Sequence, residues 1–151
     1  RTCTCMGARL LHDWLLAPLA RPDLIETRLD AVAELRGQHA LRRQLCDQLN
    51  QFPDLPRLTT RASTGRASPR DLAGIGQALG CVPPLLEAMR GFQTSLLAVL
   101  RERINPLPNL RTALQNALVD TPPLTSRDGG VIRDGFHPRL DHLRQLSRGG
   151  K

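Results

Sequence analysis

The sequence predicts a mainly α-helical, multi-helix domain with one short β-hairpin near its C-terminal end. Three observations carry that expectation. Leucine and alanine dominate, while aromatic residues make up 3% of the 151 residues, a composition that favours helices with an aliphatic core. Apolar residues return at one-and-four spacing through most of the chain. After Val119 that spacing gives way to paired prolines and an Asp-Gly-Gly run, which forbid helix and favour a tight turn.

Residues 6–36 read as two helices meeting at a proline elbow. Leu10, Leu11, Trp14 and Leu15 form the first apolar stripe. Pro18 cannot continue that helix and pushes Ala17 out of the helical region. Pro22 opens the second helix where a missing N–H is harmless, with Asp23 in the first turn favouring the dipole. Ile25, Leu29 and Val32 make its stripe, and Gly37 its stop. A helical hairpin with one buried seam is expected.

Residues 40–118 read as further helical packing. Leu41, Leu45 and Leu49 give a third amphipathic helix, and Asp54 caps a short one through Leu55 and Leu58. Ser68, Pro69 and Asp71 supply a serine cap, a first-position proline and an acid three after the cap. The helix they start continues through Leu72, Ile75 and Leu79. The Pro83-Pro84 pair is expected to break the chain and start another helix through Leu85, Leu86 and Met89, ended by Gly91. Leu96, Leu97 and Leu100 follow on a helix stopped by Asn105-Pro106, and Leu110, Leu114 and Leu118 on one more.

Residues 119–136 change character. Pro122 and Pro123 hold the chain extended, and Asp128-Gly129-Gly130 reads as a two-residue turn between two short strands. Arg133 to Phe136, with Gly135, makes a second turn. An exit helix over 137–147 begins at Pro138 and carries Leu140 and Leu143.

Catalytic chemistry is not legible. His12, His39, His137 and His142 lie in separate segments, and the neighbours His12-Asp13 and Asp141-His142 are expected to point apart on a helix. Cys3-Thr4-Cys5 with His12 lacks the second paired set of a zinc site. With Cys46 and Cys81, these cysteines are expected to be reduced and to act as small apolar residues. Gly129-Gly130 lacks the spacing and lysine of a phosphate-binding loop. The net charge of +7 comes from dispersed arginines and Lys151, densest at Arg57, Arg61, Arg66 and Arg70. Such a chain binds polyanions weakly by counterion release, but no aromatic is interleaved for base stacking. No stretch approaches the ~18 residues of a membrane span, no secretory leader is read, and no membrane partner is expected. The absence of an initiator Met is read as a piece of a longer protein.

Several motifs carry a family resemblance. Met6-Gly7, Arg9-Leu10-Leu11, Trp14-Leu15, Pro18-Leu19 and Arg28 to Val32 resemble the opening of the core, or lever, domain of the MutS family of DNA mismatch-repair proteins. Asp54-Leu55-Pro56-Arg57 and Pro69-Arg70-Asp71-Leu72 are similar to its D-L-E-R and P-R-D-L runs, with Pro56 replacing the glutamate. The block from Val119 to Phe136, followed by Leu140-Asp141-His142-Leu143-Arg144, is similar to the segment that leaves the lever for the DNA clamp. Arg21 stands where the family has an aspartate cap. The resemblance covers essentially all of residues 1–151, which would be a single partial domain.

The resemblance implies a structural role for Gly7, Trp14, Pro18, Pro69, Arg70, Asp71, Pro122, Pro123, Asp128, Gly129, Gly130 and Gly135. It implies no catalytic, cofactor-binding or metal-binding residue in this segment, which would not itself be an enzyme. The parent protein would be a cytoplasmic, nucleoid-associated bacterial homodimer, a DNA-dependent ATPase using ATP and Mg. It would bind mismatched duplex DNA and a downstream repair partner of the MutL type. The lever would link the DNA-holding domains to the ATPase. Two other readings stay open: the core of a MutS relative acting in recombination, and a stand-alone, non-specific nucleic-acid-binding helical module.

Overall fold

The computed structural model describes residues 2–149. They form helices α1 (Cys5–Leu16), α2 (Pro22–Gly37), α3 (His39–Leu49), α4 (Leu55–Ser63), α5 (Pro69–Met89), α6 (Ser95–Arg103), α7 (Pro108–Ala117) and α8 (Pro138–Gly149). A short 3-10 turn spans Ser126–Asp128. The mainly helical expectation is correct.

The centre is α5, on which α3, α4, α6 and α7 all pack. Its start follows the local chemistry. The Ser68 hydroxyl accepts from the Asp71 amide at 3.2 Å, and the Asp71 carboxylate accepts from the Ser68 amide at 2.7 Å. This reciprocal cap satisfies two amides that a bare helix end would leave open.

The expected break at Pro83-Pro84 does not occur, and α5 runs straight through both prolines. Without their N–H groups the carbonyls of Leu79 and Gly80 lose helical partners, at roughly 3 kcal/mol per proline. Leu79, Val82, Leu85 and Met89 are all buried, each contributing about 1.5–3 kcal/mol. Burial on the surrounding helices therefore outweighs the two lost bonds. By length and composition α5 is also long and apolar enough to cross a membrane, contrary to the reading that no stretch approaches a span. In this fold its apolar residues are the ones the other helices cover.

A second cluster joins α2 to α6. Phe92, 1% exposed, packs with Ala31 and Leu97, and Leu35, Leu41, Leu45 and Leu96 close over them. Gly91 permits this approach, because a Cβ there would meet Leu41 Cδ1 at 2.5 Å.

The buried seam between α1 and α2 is not found. Leu15 is 74% exposed and Leu29 59%, and Leu10, Leu11, Trp14, Ile25 and Val32 are exposed too. The elbow itself is as expected, with Ala17 at φ −130°. Residues 18–21 carry no helix and Arg21 is extended at φ −87°, ψ 119°, so the second helix does not continue from the first and the two apolar stripes are left facing outward. They meet where the Arg28 guanidinium lies 3.8 Å over the Trp14 ring.

No β-hairpin forms around Asp128, Gly129 and Gly130. Asp128 closes the 3-10 turn, its carboxylate accepting from the Thr125 hydroxyl at 3.0 Å. Gly129 then adopts φ +71°, ψ −174°, outside the left-handed helical region a type I′ turn needs at both central residues. The chain pairs instead through one antiparallel bridge, Leu118 with Ile132. It is flanked by Val119 N to Val131 O at 3.1 Å and Arg133 N to Ala117 O at 2.8 Å.

Candidate functional site

The motif residues fall into three places, joined by polar contacts between distant parts of the sequence. The first is the start of α1. The Thr4 hydroxyl accepts from the Gly7 amide at 2.9 Å, capping the helix whose outer face carries Trp14. Arg9 from this helix forks onto Asp54, with contacts of 2.9 and 2.6 Å. Asp54 thus occupies the α4 cap position, but its side chain makes no cap hydrogen bond. The Arg9 guanidinium holds its carboxyl down to about 2. The α2 cap is likewise open. Arg21 makes no cap bond and turns its guanidinium onto Asp23 instead.

The second place joins α5 to the extended segment. Pro69 is buried at the first turn of α5, and Arg70 Nε donates to the carbonyl of buried Pro122 at 3.0 Å. Asp71 also receives Arg61 at 3.1 Å. The Ser68 amide and hydroxyl, then Arg61 and Arg57, hold the Asp71 carboxyl below its ordinary value. Two motifs 52 residues apart thereby form one junction. A groove beside it is lined by Ala73, Gly74, Gln77 and Asp120. The small residues Ala73, Gly76 and Gly80 extend this groove along α5 toward Leu114 of α7.

The third place holds α8. Arg133 donates to the Leu118 carbonyl at 3.1 Å and to Asp120 at 2.8 Å. Arg144 of α8 reaches the Ile132 carbonyl at 2.8 Å and Asp134 at 2.7 Å. The turn expected at Arg133 to Phe136 is present, with Gly135 at φ +81° and Phe136 N on Arg133 O at 3.3 Å. The Gly135 amide donates to Asp141 at 3.1 Å. Pro18, Pro123, Gly129 and Gly130 make no side-chain contact of this kind. They shape the path of the chain.

One polar residue escaped the sequence reading. Glu34 on α2 accepts from the Gln93 amide at 2.6 Å, the Thr94 amide at 3.0 Å and the Thr94 hydroxyl at 2.7 Å. It caps α6 from 60 residues away, where Thr94 makes no cap bond of its own. Burial raises its carboxyl, but the Thr94 and Gln93 donors prevail and hold it below its ordinary value. No local motif announces such a cap.

Of the densest arginine set, Arg61 and Arg70 are committed to Asp71 and Pro122. Arg57 and Arg66 make no side-chain ion pair among the described residues. His12 and Asp13, expected to diverge, approach to 3.5 Å on the open surface. Among the described residues no group of three or more His, Cys, Asp or Glu side chains is placed to hold a metal.

The family model for MutS domain III matches residues 1–148. The chain is 42% identical over its full length to the DNA mismatch repair protein MutS of Solibacter usitatus. It is 39% identical over its full length to that of Symbiobacterium thermophilum, and 41% identical over 99% of its length to that of Natronomonas pharaonis. It spans about a sixth of these relatives, covering 17% of the first two and 18% of the third. Matched end to end at this identity, with the three motif blocks joined in space, the chain belongs to the MutS family as its domain III.

Proposed function

We propose that this chain is the structural lever of a MutS-type DNA mismatch repair protein, connecting mismatched-DNA binding to a separate ATPase domain. The carrying observation is α5 and its two attachments. A 21-residue helix is a rod of roughly 30 Å. Its first turn is bonded to the extended segment through Arg70 and Pro122, and α3 and α6 tie its body to the α2 cluster. A shift at one end of such a packed rod reaches the other end without being absorbed between. The outward apolar stripes of α1 and α2 support the same reading, since contiguous exposed apolar surface marks a docking face.

In this reading the segment has no catalytic site, and ATP with Mg binds elsewhere in the parent. A homodimer, a MutL-type partner, and a cytoplasmic, nucleoid-associated location also belong to the proposal. The DNA contact is made through the parent's clamp and mismatch domains, because half of the densest arginine set is spent inside the chain.

The test is Arg70→Ala in the full-length protein. Basal ATP hydrolysis should persist while its response to a mismatched duplex falls. A variant with a full mismatch response would remove the junction from the coupling path.

A further inference from the structure

The charge that the lever reading leaves unused gathers at the corner between α2 and α3. Arg36 in the last turn of α2 lines one open depression of about 420 Å³ together with His39 and Arg42 of α3. Ala33 and Gly37 complete the wall, so no acid lines it. The nearest carboxylate in sequence, Glu34, is committed to Gln38, Gln93 and Thr94. Among the described residues neither Arg36 nor Arg42 is paired with an acid. The basic patch beside α4 differs, because Arg9 and Arg61 there are paired with Asp54 and Asp71.

Every polar side chain lining the depression is left with donors to offer. A guanidinium neither loses its proton nor accepts a hydrogen bond. Arg42 Nη2 lies 3.1 Å from His39 Nδ1, so that nitrogen accepts and the imidazole proton sits on Nε2. α3 also starts with no side-chain cap and no acid in its first turn, which adds open leading amides to the cations.

We propose that Arg36, His39 and Arg42 form a binding site for a phosphate dianion at the α2–α3 corner. Two guanidiniums that share a depression without a carboxylate repel one another, and one carboxylate would neutralise only one of them. A phosphate carries about −1.5 to −2 charges near neutral pH, on oxygens that accept hydrogen bonds, and so answers both. The site stands whether or not the chain acts as a lever. Inorganic phosphate and the terminal phosphate of a nucleic acid share this chemistry.

The experiment uses the full-length protein, modified at arginine with phenylglyoxal in phosphate or in chloride at matched ionic strength. Mapping each arginine by mass spectrometry keeps phosphate bound elsewhere out of the reading. Arg36 and Arg42 should be protected saturably, while exposed Arg43, outside the depression, reacts as before. Arg36→Gln should raise the phosphate needed to protect Arg42 roughly tenfold, the scale of one charged hydrogen bond. Gly37→Asp should abolish protection of both arginines, since a Cβ there meets no atom within 4 Å and a carboxylate enters without a clash. Slow amide exchange at Gln93 and Thr94 reports that the Glu34 cap survives in each variant. Stronger protection by an oligonucleotide with a terminal phosphate than by inorganic phosphate, lost in its hydroxyl-terminated form, would place the ligand on nucleic acid. The opposite order would make it free phosphate. Equal protection of Arg36, Arg42, Arg43 and Arg57 would overturn the proposal as a diffuse ionic effect, and so would protection by acetate as strong as by phosphate.

Discussion

Arg70 and Pro122, 52 residues apart, are joined by a guanidinium-to-carbonyl hydrogen bond of 3.0 Å. The carbonyl belongs to a buried proline outside any strand, so it has no ladder partner. A buried acceptor left open costs more than the bond itself returns. Arg70 therefore fixes where the chain passes as it leaves the helical body.

Arg70→Lys keeps the charge but loses the Nε–H that reaches this carbonyl. The expected loss is local, about 1 kcal/mol. Amide exchange should rise across residues 119–124, while the Ser68–Asp71 cap stays protected. Unchanged exchange in that segment would show that Pro122 is held by packing alone.

Phe92 and Trp14 should behave oppositely. Phe92 is 1% exposed inside the α2–α6 cluster, and Phe92→Ala should cost about 3–5 kcal/mol in urea denaturation of the chain. Trp14 is 42% exposed, with Arg28 over its ring, and Trp14→Ala should cost less than about 1 kcal/mol, the scale of an exposed cation–π contact. Equal losses would place Trp14 in a core that the fold does not show.

The contrast marks what the sequence could reveal. Helix starts were legible where the signal is local, as at Ser68-Pro69-Asp71 and Pro22, because caps and prolines act within one turn. Stripe partners were not. Leu10, Trp14 and Leu29 have the spacing of a buried face, but spacing cannot say what lies opposite. Pro83-Pro84 misled for a related reason, since the local penalty was legible and the burial of Leu79, Leu85 and Met89 that offsets it was not. Asp128-Gly129-Gly130 carried a strong hairpin signal that the Thr125 contact diverted into a 3-10 turn. Glu34 was invisible, because its partners lie 60 residues away.

Acid should unfold the chain through its lowered carboxylates. Asp23, Glu34, Asp54 and Asp71 are all held below their ordinary values, Asp54 down to about 2. A lowered folded value means stability that is fully present above the unfolded carboxylate range, about 4, and lost as pH falls through the folded value. Urea midpoints should therefore be flat from about pH 5 to 7 and fall steadily below about pH 4. Asp54→Asn should be less stable at neutral pH and show a shallower fall toward about pH 2. A parallel fall in variant and parent would mean that Arg9 contributes nothing to the folded state.

The last prediction concerns how α8 is carried. Gly129, at φ +71° and ψ −174°, has open space where a Cβ would go, so Gly129→Ala meets backbone strain of roughly 1–3 kcal/mol and no clash. That strain sits at the tip of a loop, beyond the Leu118–Ile132 bridge. Arg144 sits at its base and holds α8 to the Ile132 carbonyl and Asp134. If the segment transmits DNA state, the grip matters and the tip does not. In the full-length protein Gly129→Ala should lower thermal stability modestly and keep the mismatch response of ATP hydrolysis. Arg144→Ala should keep basal hydrolysis and lose much of that response. The reverse ranking would mean that the glycine loop itself, through a partner seated on it, carries the signal.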